Sequence, residues 1–166
     1  MRRFALILLS LCLLLAFVSA EEAVTELNWT DVQEAASGME GVFAQLGGTD
    51  LMMFVPAGYV DREPESDHFL NLVDEQAGCV ISGQILPIGT AVFKGGLKAT
   101  GVAETDDCVL NGLTAVRYHM TLDGVAAEGI AIETVDGQTI NISFAPVSEA
   151  YAETAEIMLR SIQPLK

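Results

Sequence analysis

The sequence predicts an α+β domain in which an antiparallel β-sheet with a C-terminal meander is covered by N- and C-terminal helices. Three observations carry this reading. Asn111-Gly112, Asp123-Gly124 and Asp136-Gly137 divide the C-terminal half into four apolar-rich segments at 11–13 residue intervals. Asn-Gly and Asp-Gly pairs supply the positive φ angles that tight hairpins need. The last segment repeats apolar residues at helical spacing, with Tyr151, Ala155, Met158 and Ile162 on one stripe. Glu40 to Leu46 alternates, Gly47-Gly48 turns the chain and Asp50 to Val55 is an apolar return strand, which together read as a separate early hairpin.

The chain opens on a stretch that reads as a leader. Met1-Arg2-Arg3 is a short positive start, Phe4 to Val18 is apolar apart from Ser10, and Val18-Ser19-Ala20 offers the small residues that signal peptidase reads. The apolar run is shorter than the ~20 residues of a membrane span. The expectation is a cleaved signal peptide over 1–20, a secreted mature chain from Glu21, and no stable membrane span after cleavage. Residues 21–38 read as a lead-in and short helix, and 39–166 as a single α+β domain.

Glu21 to Asn28 is polar and is expected to be a mobile lead-in. Thr30-Asp31-Val32-Gln33 has the hydroxyl-to-Gln spacing of a capping box, so a short helix should run to about Ser37 and stop at Gly38. The hairpin follows, with Val42, Ala44 and Leu46 on one face, and ends at Pro56-Ala57-Gly58-Tyr59. Phe69–Val73 and Ala77–Ile85 read as a second strand pair. Pro87 to Ala99 reads as a poor helix or loop, because Gly89, Gly95 and Gly96 each cost about 1 kcal/mol in a helix.

In the meander, the even-numbered residues Val116, Tyr118 and Met120, then Ile130 and Ile132, then Ile140, Ile142 and Phe144 form successive apolar rows. A three-residue loop ending in glycine pairs even with even, whereas a two-residue loop sets Ile130 opposite Arg117. The parity therefore favours bulged three-residue turns at both Asp-Gly sites and leaves Asn111-Gly112 open. Ser148 is expected to cap the final helix, Glu149 to Ser161, whose apolar stripe should lie across the meander.

These motifs resemble the PsbP-like superfold, whose members include photosynthetic extrinsic proteins and many small exported bacterial proteins. Phe54-Val55-Pro56-Ala57-Gly58-Tyr59 is similar to its Phe-Pro-x-Gly-Tyr hairpin end. Asn111 to Tyr118 is similar to its Asn-Gly-x-x-Ala-x-x-Tyr hairpin, and the chain closes on a terminal helix ending Arg160-Ser161-Ile162. Within that group it is most similar to exported proteins of Gram-positive, Clostridia-type bacteria. The resemblance implies architecture and a non-enzymatic binding or accessory role.

Composition and motifs narrow the chemistry. All 23 acidic residues and six of the eight basic ones follow Ala20, so residues 21–166 carry a formal charge of −17. Nucleic acid and anionic lipid headgroups both need Lys and Arg to displace counterions, so neither is an expected partner. A cationic partner fits this charge. The sequence has no Gly-x-Ser-x-Gly nucleophile motif, Gly-rich phosphate loop or Cys-x-x-Cys pair, and the expectation is no enzyme and no cofactor. His68 and His119 are isolated in sequence, and His119 with Glu128 across the hairpin is a candidate cross-strand pair. Asp61, Glu63, Glu65 and Asp67 recur at every second residue and are the candidate binding residues. Carboxylate oxygens so spaced suit a hard cation such as calcium, although the loop lacks the Gly and Glu of an EF-hand. Cys79 and Cys108 are compatible with one disulfide in an exported domain. Both also sit in apolar runs, where free cysteines pack as small hydrophobes. The predicted role is therefore a secreted domain that binds an extracellular protein or small ligand at the cell surface. The alternatives are a weak divalent-cation binder using residues 61–67 and an extracellular hydrolase.

Overall fold

The computed structural model describes residues 24–63 and 67–165. The predicted leader and Glu65 lie outside the described residues. The strands in chain order are β1 (Thr25–Leu27), β2 (Gly41–Gln45), β3 (Leu51–Pro56), β4 (Tyr59–Asp61), β5 (His68–Asp74), β6 (Cys79–Leu86), β7 (Ala103–Leu110), β8 (Leu113–Leu122), β9 (Val125–Glu133), β10 (Thr139–Ala145) and β11 (Gln163–Pro164). The helices are α1 (Gln33–Ala36), α2 (Thr90–Thr100) and α3 (Ala152–Arg160), with a 3-10 turn over Trp29–Asp31.

Eight strands form one sheet in the order β1-β7-β8-β9-β10-β6-β5-β4, antiparallel except for β1 against β7. The chain is thus α+β with the expected meander β7–β10. A second sheet, β11-β3-β2, packs with α3 over one face of the large sheet. Leu51 and Met53 of β3, Met158 and Leu159 of α3, and Ile81, Ile130, Ile142 and Phe144 of the large sheet share one core.

The predicted stripe of α3 is buried in full, and Ile157 and Leu159 are buried too. The helix lies between two layers: Ile157 meets Ala36, Phe54 and Trp29 on the side away from the large sheet. Trp29 is a packing residue there, 5.4 Å from Phe43 in an edge-to-face pair. The helix begins at Ala152 rather than Glu149, and Tyr151 N–H donates to the Ser148 carbonyl in the turn before it.

Several expectations are corrected. The lead-in carries β1, whose Leu27 is 2% exposed and whose backbone pairs in parallel with Cys108–Leu110. The capping box is shifted two residues earlier, with Asn28 N–H donating to Asp31 Oδ2. The glycine-bearing segment after Pro87 is helical. Gly95 and Gly96 of α2 face open space, Gly101 closes the helix at φ 71°, and packing on β7–β9 offsets the glycine penalty. Val42 is 67% exposed because β2 is the outer strand of its sheet.

Asp123-Gly124 is a two-residue turn with φ 52° and 81°, and it does set Arg117 opposite Ile130. This corrects the bulged turn expected there. Asn111-Gly112 is the same kind of turn, with φ 48° and 86°. At Asp136-Gly137 the expected three-residue loop forms. Thr134 and Gln138 close it, Gly137 has φ 71°, and Ile132 opposes Ile140. Parity failed at the first turn because the sheet is covered on both faces. Val116 and Tyr118 lie under α2, where Phe93 meets the Tyr118 ring, while Ala115 and Arg117 face α3.

Cys79 and Cys108 are both buried free thiols, so the disulfide is not made. They lie on β6 and β7, four strand steps apart in the sheet, a separation of about 19 Å at the usual inter-strand spacing. A disulfide needs Cα atoms within about 7 Å. Burial pushes the Cys79 thiol up to about 11 and raises Cys108 as well.

Candidate functional site: a charged cleft beside α3

The register of β7, β8 and β9 places Glu104, His119 and Glu128 in one row across the sheet. Arg117 lies one step along β8 on the same face. Beside them runs α3, with Ala152 and Glu156 turned to the sheet. The opening between has a volume of about 520 Å³, with Val102, Met120 and Val147 among its apolar walls.

The charged residues of this cleft bond to one another. Arg117 Nη2 donates to Glu156 Oε2 at 2.5 Å and to Glu128 Oε2 at 3.1 Å, and Nη1 reaches Glu156 Oε1 at 3.3 Å. Arg160 Nε donates to Glu156 Oε1 at 2.5 Å, and its Nη1 binds Asp31 at 3.0 Å. His119 Nδ1 lies 3.5 Å from Glu128 Oε2, the cross-strand pair expected from sequence. The Glu128 side chain is 8% exposed. The Arg117 Nε is buried without a hydrogen-bond partner among the described residues.

Burial alone would raise the Glu156 carboxyl, but hydrogen bonds and charge from Arg160 and Arg117 hold it below its ordinary value. Burial likewise works against the Arg117 charge, and Glu156 and Glu128 more than restore it. This network ties β8, β9, α3 and the Trp29–Asp31 turn into one frame. Both guanidinium groups are already neutralised by carboxylates, while the exposed Glu104 at the rim has no ion-pair partner among the described residues. The cleft is therefore suited to a cationic or hydrogen-bond-donating group, with its apolar walls available to a hydrocarbon stem.

The acidic loop is arranged differently. Asp61 ends β4 opposite Leu72, and the Glu63 carbonyl accepts from Asn71 Nδ2. Asp67 is engaged by His68 Nδ1 at 2.8 Å and by Gln84 Nε2 at 3.1 Å. No group of three potential metal-ligating side chains forms among the described residues. Asp61, Glu63 and Asp67 are thus not brought to a common centre.

Sequence reasoning named His119 with Glu128, a pairing that the two-residue turn at Asp123-Gly124 makes and the expected bulged turn would not, and it missed Arg117, Glu104 and Glu156. The available signal was Arg117 itself, a cation inside an apolar strand in a chain with few cations. A second signal was the i,i+4 pair Glu156–Arg160 on the final helix.

No family model matches the chain, and no curated protein does. The fold is similar to a crystal structure of a protein from Bacteroides thetaiotaomicron VPI-5482, with a TM-score of 0.50 at 14% identity. The likeness covers 77% of this chain, which spans half the length of that protein. It extends to fold alone. No helix among the described residues is long and apolar enough to cross a membrane.

Proposed function

We propose that the protein is a secreted, non-catalytic binding domain that uses the cleft beside α3 to hold a cationic group of an extracellular protein or small ligand. The observation that carries this reading is the internal neutralisation of Arg117 and Arg160. With both cations consumed, Glu104 and the shared Glu128 leave the cleft negative. The formal charge of −17 on residues 21–166 extends the same field outward and would steer a cationic partner toward it. The leader-like residues Met1 to Ala20 support export. The hairpin ending Phe54 to Tyr59 and the hairpin Asn111 to Tyr118 support a PsbP-like fold and an accessory role. The acidic loop supports a divalent-cation site less well, because Asp67 is already bonded to His68 and Gln84.

The test is a titration of the purified protein with a short lysine peptide and, separately, a glutamate peptide, followed by NMR shifts at His119 and neighbouring amides. The expected result is saturable shifts with the lysine peptide only, weakened several-fold by Glu104→Gln. Equal response to both peptides, or turnover of a substrate lost in a cleft variant, overturns the reading.

A further inference from the structure

The outer strand β2 differs from the other free edges of the two sheets. The large sheet ends on β1 and β4, each three residues long, and the small sheet ends on the other side at β11, two residues including Pro164. Short strands, charge and proline are the usual protections of an edge. By contrast β2, Gly41-Val42-Phe43-Ala44-Gln45, is five residues long, uncharged and without proline. Val42 is 67% and Phe43 41% exposed.

The ladder with β3 fixes which backbone groups point outward. Leu46 N–H donates to the Leu51 carbonyl, and Ala57 N–H donates to the Glu40 carbonyl, so the hydrogen-bonded pairs use even-numbered residues on this side. Antiparallel strands alternate bonded and non-bonded pairs. Val42 and Ala44 therefore turn their N–H and C=O groups to Val55 and Met53, whereas Gly41, Phe43 and Gln45 turn theirs away. No backbone partner meets these outward groups among the described residues.

We propose that β2 pairs antiparallel with β2 of a second copy of this chain about a two-fold axis through Phe43. The spacing is self-complementary. Phe43 bonds to Phe43 of the other copy, and Gly41 and Gln45 bond to Gln45 and Gly41, so every outward donor finds an acceptor. On one face the two Phe43 rings meet beside Trp29 and Phe54, which already contact Phe43 within each copy. On the other face Val42 covers Ala44. The small sheets join into a continuous six-stranded sheet, an isologous contact of the commonest symmetry. A strand pair of this length buries a small area, so the dimer is a weak one. Since each copy is strongly acidic, its association should strengthen as salt screens their repulsion.

Sedimentation equilibrium on the purified protein tests this between about 10 and 500 μM, a range suited to a small interface. The expected result is a mass rising toward twice that of the chain, more steeply at high salt than at low salt. Gln45→Pro removes one outward N–H without touching the β3 ladder, and Val42→Glu places like charges in the contact at a solvent-exposed position. Both should remain monomeric while keeping the wild-type circular dichroism spectrum. Should Gln45→Pro fail to fold, Val42→Glu alone decides. Hydrogen exchange should show protection of the Gly41, Phe43 and Gln45 amides that grows with protein concentration, while Val42 and Ala44 stay unchanged. A single-chain mass throughout, a dimer indifferent to folded variants, or a monomer whose β2 binds only foreign strands overturns the proposal.

Discussion

Gly129 sits in the middle of β9 directly beneath the Tyr118 ring, and replacing it with alanine should be among the costliest small changes in the molecule. A Cβ there would lie 2.5 Å from Tyr118 Cζ and 2.5 Å from the Ile142 carbonyl oxygen. Carbon atoms in ordinary contact are about 3.5–4.0 Å apart. Neither neighbour yields easily. Tyr118 is 3% exposed and held under Phe93, and the Ile142 oxygen belongs to the adjacent strand. Overpacking of this kind costs about 1–3 kcal/mol. If Tyr118 moves, its 3.0 Å hydrogen bond to Asn141 Oδ1 is strained or lost, adding about 1 kcal/mol. The expected cost of Gly129→Ala is thus about 2–4 kcal/mol, a fall in Tm of about 6–12 °C for a domain of this size. Urea unfolding followed by circular dichroism measures it. Tyr118→Phe supplies the control. Alone it should cost about 1 kcal/mol through Asn141, but in the Gly129→Ala background it should cost less, because the hydroxyl there is part of the clash. A loss below about 1 kcal/mol for Gly129→Ala, or strict additivity of the two changes, refutes the reasoning.

The charged cleft and the buried groups give further expectations. Arg117→Met leaves Glu128 buried opposite His119 and should destabilise by about 3–5 kcal/mol in urea melts, whereas Arg117→Met with Glu128→Leu should recover most of that loss. Glu156 has a folded value below its ordinary 4.5, so the stability it contributes is present above that pH and is lost as pH falls through the lower folded value. Urea midpoints between pH 6 and 2 should therefore drop less steeply in Glu156→Gln than in the parent. Burial raises Tyr118 from 10.0 to about 12, so its contribution is complete below pH 10 and is lost as pH rises toward 12, a limb that Tyr118→Phe should flatten. Both thiols should resist Ellman's reagent at pH 8 in the folded protein and react promptly in denaturant, since burial disfavours the reactive thiolate.

The parts of this fold legible in the sequence are those encoded locally. Asn111-Gly112 and Asp136-Gly137 announce hairpins because their backbone angles are intrinsic to those residues. Tyr151, Ala155, Met158 and Ile162 announce a buried helix because 3.6-residue spacing needs no knowledge of the partner. What escaped depends on distant partners. Thr25 to Leu27 looks like a polar lead-in until Cys108–Leu110 offers it a parallel edge. The α2 glycines argue against a helix until Tyr118 and β7 supply a surface for Phe93 and Lys94. The turn at Asp123-Gly124 was misread because one covered face was assumed where there are two. That same assumption hid the cleft: with Val116 and Tyr118 taken as core-facing, Arg117 fell on the solvent side, whereas it points at Glu156.

The order of the strands also constrains how the molecule comes into being. The inner edge of β6 is closed by β10, more than fifty residues later in the chain, and the first hairpin is closed by β11, with Leu165 N–H donating to the Asp50 carbonyl. Until those C-terminal pieces arrive, Leu51, Met53 and Ile81 have no lid, and neither sheet can close. Distant pairings of this sort are slow, with folding in milliseconds to seconds. Adjacent hairpins such as β2–β3 and β5–β6 can pair as they appear, but the core they share is completed only when β10, α3 and β11 are present, so a chain truncated before Thr139 should lack a stable fold.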